Sequence, residues 1–186
     1  MNGHHPGVYV TLFVAWCAWF SAFVLRRRRP AKAQHVDRRA RWGIVLEGIA
    51  FALVWQGRFW ERQLQSWRVA LAILFFALAC LLSWTAVQAL GRQWRVDAGL
   101  NADHELVRSG PYAVVRHPIY TSMLCMLLGT GLMMTPWLLL AVALAVFICG
   151  TEIRVRTEDR LLASRFGKEF NEYSLRVSAY IPWLRG

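Results

Sequence analysis

"WRVALAILFFALACLLSWTAVQAL", residues 67–90, carries one charge, Arg68, near its start. A helix that crosses a bilayer needs roughly 20 predominantly apolar residues, and this stretch is long enough. Four further apolar segments flank it: 9–25, 43–60, 118–134 and 136–150. The last two are short and are separated by Thr135 and Pro136, a pattern that predicts a tight helical hairpin, tilted or reaching incompletely across. The apolar residues come in long blocks rather than in short amphipathic periods. The expected fold is therefore all-α, an integral membrane protein with about five transmembrane helices in one domain, 1–186. Three N-terminal spans fall in 9–90. The remainder, 91–186, divides into a loop, the hairpin 118–150 and a tail from 151 to 186.

Composition agrees with this reading. The chain is 56% hydrophobic, its mean hydropathy is +0.32, and it has ten tryptophans, whose rings favour the membrane–water interface. In a soluble chain a net charge of +11 would point to nucleic acid. Here the distribution of charge gives another explanation. Segments 26–41, 91–117 and 151–186 hold 8, 4 and 7 of the 22 basic residues, and only 3 lie in the opposite turn around 58–68. By the positive-inside rule the N-terminus is outside, and the two large polar pieces share the cytoplasmic face. No Lys or Arg precedes the first apolar segment and four arginines follow it, so it reads as a retained anchor. Cys17, Cys80, Cys125 and Cys149 all lie in apolar blocks without a C-x-x-C pair. Neither a disulfide framework nor a metal site is expected, and nucleic acid is not an expected partner.

Two polar clusters face the same side. In "HELVRSGPYAVVRHPIY" (residues 104–120), Arg116 and His117 precede Pro118, which suits the first turn of a helix because proline lacks an N–H. A helix start offers backbone donors and a positive dipole end, and Tyr112 and Tyr120 add amphipathic rings. The stretch reads either as a socket for an anionic or zwitterionic small molecule or as arginine and tyrosine anchoring a helix end at the headgroups. In "EIRVRTEDR" (residues 152–160), Arg154 and Glu158 are four apart and share a helix face, while Glu152 and Arg156 form a more solvated stripe. Leu161, Leu162, Phe166 and Phe170 continue at helical spacing, with Gly167 a break.

Together, "LVRSGPYAVVRHPIY" and "RVRTEDRLLASRFGKEFNEYSLRVSAYIP" resemble the isoprenylcysteine carboxyl methyltransferase family and its bacterial and archaeal relatives, with the phospholipid methyltransferases more distant kin. The matching region runs from His104 to Pro182. The resemblance implies transfer of a methyl group from S-adenosylmethionine to a lipidic acceptor, such as the carboxylate of a prenylcysteine-like molecule. It also implies a cytoplasm-facing site in a bacterial or archaeal cytoplasmic membrane. On the matching positions, His104, Leu106, Val107, Tyr112, His117, Tyr120 and Glu158 line the cofactor pocket, and Arg116 and Arg154 stand near the acceptor carboxylate. The chain departs from the family pattern at Ser122, where glycine is common, and at Glu158–Asp159, which replaces a glutamate pair.

Two other functions are compatible with parts of the pattern. An NADPH-dependent sterol-type reductase shares a similar arginine–histidine–proline–tyrosine stretch but has more spans. A non-catalytic membrane scaffold would keep the fold without turnover. Glu47, inside the second apolar segment, reads either as part of a substrate opening or as the partner of an arginine in 26–41.

Overall fold

The computed structural model describes residues 6–25, 35–36, 39–56, 65–94, 99–100 and 105–182. Its α-helices are α1 (Pro6–Leu25), α2 (Ala40–Val54), α3 (Ser66–Leu90), α4 (Pro118–Met134), α5 (Trp137–Phe166) and α6 (Lys168–Arg176). A two-residue antiparallel ladder joins β1 (His35–Val36) to β2 (Gly99–Leu100), pairing His35 with Leu100 and Val36 with Gly99. The architecture is all-α, and among the described residues three helices are long and apolar enough to cross a membrane: 7–25 within α1, α3 and α5. The expected hairpin forms α4 and the first half of α5, with α4 a shorter apolar helix. The segment expected as a second span forms the 15-residue α2, which is not among the helices long and apolar enough to cross, and the end predicted for it at 57–60 lies outside the described residues.

Small residues set the helix spacing. A Cβ on Gly43 of α2 would lie 2.6 Å from the Gly150 carbonyl oxygen of α5, and one on Gly150 would lie 2.8 Å from the Gly43 carbonyl oxygen. Only glycine at both positions lets the two backbones approach so closely. In the same way α3 meets α4 where Phe76 lies against Gly129. α1 rests on α3, held there by the Trp84 indole N–H donating to the Ala18 carbonyl at 3.2 Å.

The turn between α4 and α5 is fixed by its polar groups. Thr135 Oγ1 donates to the Val54 carbonyl at 2.7 Å, and Arg68 donates to the Thr135 carbonyl at 3.0 Å. The Arg68 guanidinium also stands 4.8 Å from the centroid of the Trp137 ring. The single charge of the opening stretch thus has its partners at the hairpin turn. At the other end α5 continues without interruption into the tail, as the spacing predicted. It stops at Gly167, whose φ of 54° is open to glycine at little cost.

Candidate functional site

The polar end of the molecule is assembled from three pieces of chain. The first is the approach to α4, where Gly110–Ala113 forms a 3-10 turn with Pro111 in its first positions and Tyr112 buried. The second is the far half of α5. The third is the segment after α6, which pairs with the approach: Arg116 and His117 donate their backbone N–H groups to the Ser178 and Ala179 carbonyls, each at 2.8 Å. Thr121 Oγ1 donates to the Tyr180 carbonyl at 2.7 Å, and the Tyr180 hydroxyl donates to Glu152 at 2.9 Å. The start of α4 is therefore clamped between α5 and the end of the described chain. Its backbone is less open than the sequence suggested, because the Tyr120 and Thr121 N–H groups both turn back to the His117 carbonyl.

His117 sits at the centre of the clamp. Its Nε2 is 2.8 Å from Asp159 Oδ1, and its Nδ1 is 3.3 Å from Glu158 Oε2. Burial favours the neutral ring, but hydrogen bonds and charge from Asp159 and Glu158 outweigh it and push the pKa up to about 9. His117 is thus an imidazolium at neutral pH, with both nitrogens donating. Glu158 also accepts from the Tyr120 hydroxyl. Arg116 donates to Asp159 at 2.9 Å and to the Ser174 carbonyl at 2.9 Å, while its Nε is buried with no hydrogen-bond partner among the described residues. Burial raises the Tyr112 pKa well above the ordinary tyrosine value, so its hydroxyl stays neutral.

Arg154, one turn before Glu158, stands with its guanidinium 4.9 Å from the centroid of the Tyr120 ring. Its Nη1 donates to Glu47 at 2.9 Å, and Glu47 also accepts from Thr151 at 3.2 Å. Among the described residues the partner of Glu47 is Arg154 of α5, while Arg26–Arg29 and Arg38, expected as alternatives, lie outside them. The close Gly43–Gly150 crossing explains the pairing, since it brings α2 near enough for a side chain one turn further on to reach across. The solvated stripe is as expected, with Arg156 donating to Glu152 at 3.0 Å on the outside of α5.

A cavity of about 590 Å3 opens among these groups. Leu106, Val107, Tyr112, Arg116, His117, Tyr120, Arg154 and Glu158 all contribute to its wall. Of the site residues read from the sequence, only His104 is not among them, because it lies outside the described residues. The aromatic part of the cavity wall was not anticipated. Trp16, Trp19, Phe20 and Phe23 of α1 line it, together with Phe51 of α2 and Trp94. Spacing at i, i+3, i+4 and i+7 places the four α1 residues on one helix face. That signal was present in the sequence, yet inside an apolar span it does not distinguish a cavity wall from a lipid-facing stripe.

The sequence model of the phospholipid methyltransferase family matches residues 67–169, more than half of the chain. The chain belongs to that family. Among its relatives are the cobalt-zinc-cadmium resistance protein of Cupriavidus metallidurans, 32% identical over 77% of this chain, and protein-S-isoprenylcysteine O-methyltransferase B of Arabidopsis thaliana, 29% identical over 64%. The chain spans 62% of the length of each of these two proteins. A solved structure of a eukaryotic intramembrane Ras methyltransferase, isoprenylcysteine carboxyl methyltransferase, aligns with 99% of this chain and 55% of its own, at 20% identity and a TM-score of 0.47. The resemblance read from the two motifs thus agrees with the family and with the named methyltransferases among its relatives.

Proposed function

We propose that this protein is an integral membrane methyltransferase that uses S-adenosylmethionine to methylate a lipidic acceptor, with O-methylation of a carboxylate on a prenylcysteine-like molecule as the reaction. The observation that carries this reading is the mixed lining of one cavity. Charged groups from two distant motifs and aromatic residues of α1 and α2 share its wall. The arrangement suits a water-soluble ionic cofactor meeting a hydrocarbon-bearing acceptor.

The residues present fit the cofactor. Glu158 is a carboxylate for an ammonium or ribose hydroxyls. Tyr112, Tyr120, Leu106 and Val107 are flat or apolar surfaces for a purine ring. His117 orients Glu158 and Asp159 from between them, and His104 belongs to the same stretch. When bound, S-adenosylmethionine supplies a methyl group on a positively charged sulfur.

The rest of the work is positioning and exclusion of water. A carboxylate acceptor has a pKa near 4 and is ionised at neutral pH, so no group has to remove a proton. The protonated state of His117 agrees with this, since an imidazolium cannot act as a base. An amine acceptor would have to lose a proton first. Arg154 is the cation placed to meet the acceptor carboxylate, held by Glu47 on one side and Tyr120 on another. Arg116 supports it from the neighbouring wall, braced by Asp159.

Phe20 of α1 and Ile44 of α2 both line the cavity and are 50% and 38% exposed. We place the lipid approach between these two helices. The concentration of basic residues in 26–41, 91–117 and 151–186 supports an N-terminus outside and a site facing the cytoplasm.

Isothermal titration with S-adenosylhomocysteine in detergent tests the cofactor, and Glu158→Ala should abolish the binding. Incubation with labelled methyl donor and N-acetyl-S-farnesylcysteine tests the acceptor, and a base-labile labelled product is expected. Absence of S-adenosylhomocysteine binding, or an unchanged affinity in Glu158→Ala, would refute the reading. With a membrane lipid extract in place of the farnesyl compound, a base-stable labelled product would replace the carboxylate with an amine.

A further inference from the structure

Ser122, where this chain departs from the pattern it resembles, is fully buried in the first turns of α4. Its hydroxyl donates to the Ile119 carbonyl at 2.7 Å and accepts from the indole N–H of Trp19 at 3.2 Å. Both of its hydrogen-bonding roles are therefore filled, and so is the single one of Trp19. Trp19 lines the cavity, whereas Ser122 lies behind it, between Ile119 and Met123, which also face the cavity. The indole is packed edge-on against Phe23 at 4.9 Å and Phe20 at 5.0 Å between ring centroids, both of them cavity residues. A glycine at position 122 would offer this indole no side-chain acceptor.

We propose that Ser122 and Trp19 form a specificity latch, in which the hydrogen bond pins the indole across the seam between α1 and α4 and confines the acceptor's hydrocarbon to the slot between α1 and α2. The proposal deepens the functional reading above and rests on it. Ser122 acts through Trp19 and is a positioning residue. Trp19 is the group that meets the hydrocarbon, and its orientation sets which chains fit. Without the hydrogen bond the buried N–H loses its acceptor, the ring turns, and the chamber extends along the seam towards longer and bulkier chains.

The probes are N-acetylcysteines carrying S-geranyl, S-farnesyl and S-geranylgeranyl groups. Their methylation by wild type is compared with that by Ser122→Ala, Trp19→Phe and the double variant. Trp19→Phe keeps a ring and removes the N–H. Loss of one neutral hydrogen bond corresponds to about a 3- to 10-fold change in the ratio of geranylgeranyl to geranyl KM, in favour of the longer chain. The change should fall in KM rather than kcat. Both single variants should show it, and the double variant should show no more than either. The same ratio should appear in binding of the three compounds by titration with S-adenosylhomocysteine present, where no turnover occurs. S-Adenosylhomocysteine affinity, expected to stay at the wild-type value in every variant, reports a folded cofactor end. If that affinity is retained and chain-length preference is unchanged in both single variants, the latch is wrong while the functional reading stands. If wild type neither binds nor methylates any of the three compounds, the acceptor reading fails and takes the latch with it.

Discussion

Replacement of Glu47 probes the joint between α2 and the candidate site. Glu47 is 2% exposed, accepts from Arg154 at 2.9 Å and from Thr151 at 3.2 Å, and lies on the wall of the cavity. Removing one partner of a buried ion pair leaves the other charge desolvated and costs about 3–5 kcal/mol. Glu47→Leu should fall in that range. Glu47→Gln keeps one acceptor oxygen for Arg154 and turns an amide N–H toward Thr151, whose hydroxyl can rotate to accept it, while the negative charge is lost. Its cost is the difference between a charged and a neutral hydrogen bond, about 1–1.5 kcal/mol. In a chain of this size each kcal/mol moves the melting temperature by about 2–4 °C, so leucine should lower it by about 6–20 °C and glutamine by about 2–6 °C.

Thermal unfolding in detergent, followed by near-ultraviolet circular dichroism, measures both. A second comparison separates charge from packing. Glu47→Leu combined with Arg154→Leu removes the stranded cation and should melt higher than Glu47→Leu alone, although two groups are then missing. If Glu47→Leu melts within about 2 °C of wild type, the pair is not a desolvated one. If the double variant is the less stable of the two, the cost lies in packing, and Glu47 does not hold Arg154 in place for an acceptor.

Three further outcomes follow from the same geometry. His117 has a folded pKa of about 9 against an unfolded value near 6.5, so its contribution to stability is complete below about pH 6.5 and is lost as pH rises through 9. That contribution is about 3 kcal/mol, and thermal melts between pH 6 and 10 should show a fall that is absent in His117→Gln. Gly150→Ala places a methyl group 2.8 Å from the Gly43 carbonyl oxygen and 2.9 Å from the Leu46 Cβ, both on the facing helix. It should cost about 1–3 kcal/mol and raise the acceptor KM by shifting Glu47 away from Arg154, measurable by melts and steady-state kinetics. Tyr173→Phe removes a donor that reaches the Tyr112 carbonyl at 2.6 Å, and a loss of about 1 kcal/mol with weaker S-adenosylhomocysteine binding is expected by melt and titration.

The polar end was readable because its chemistry is costly to place there for any other reason. Arginines, histidine and carboxylates beside apolar helices need partners, and the i, i+4 spacing of Arg154 and Glu158 showed that one helix presents both. The pairing of Glu47 was not readable. It spans 107 positions, and what allows it is the absence of side chains at Gly43 and Gly150, which carry no chemical signature of their own. The clamp by 178–180 was also out of reach, since Ser178 and Ala179 act through backbone carbonyls that any residue would supply. The aromatic face of α1 lies between these cases: its periodicity was visible, but every side of a membrane helix is apolar, so periodicity alone does not show which side meets a cavity.

Helix length explains where the charges stand. α4 and α5 run away from a common turn at Thr135 and Pro136, with 17 and 30 residues. At 1.5 Å per residue, α4 is about 26 Å long and α5 about 45 Å. Counting back from the turn, α5 draws level with the first residue of α4 near residue 153. The next two turns, with Arg154, Glu158 and Asp159, therefore stand beside and beyond His117, where α4 no longer covers them. An apolar hairpin thus ends in a carboxylate pair facing an imidazolium, and the charges lie past the end of the shorter helix. Lengthening α4 by one turn would move His117 about 5 Å along α5, beyond hydrogen-bonding reach of Glu158 and Asp159. The inequality of the two helices is a condition of the site, and it could be read from the positions of Pro118, Thr135 and Gly167.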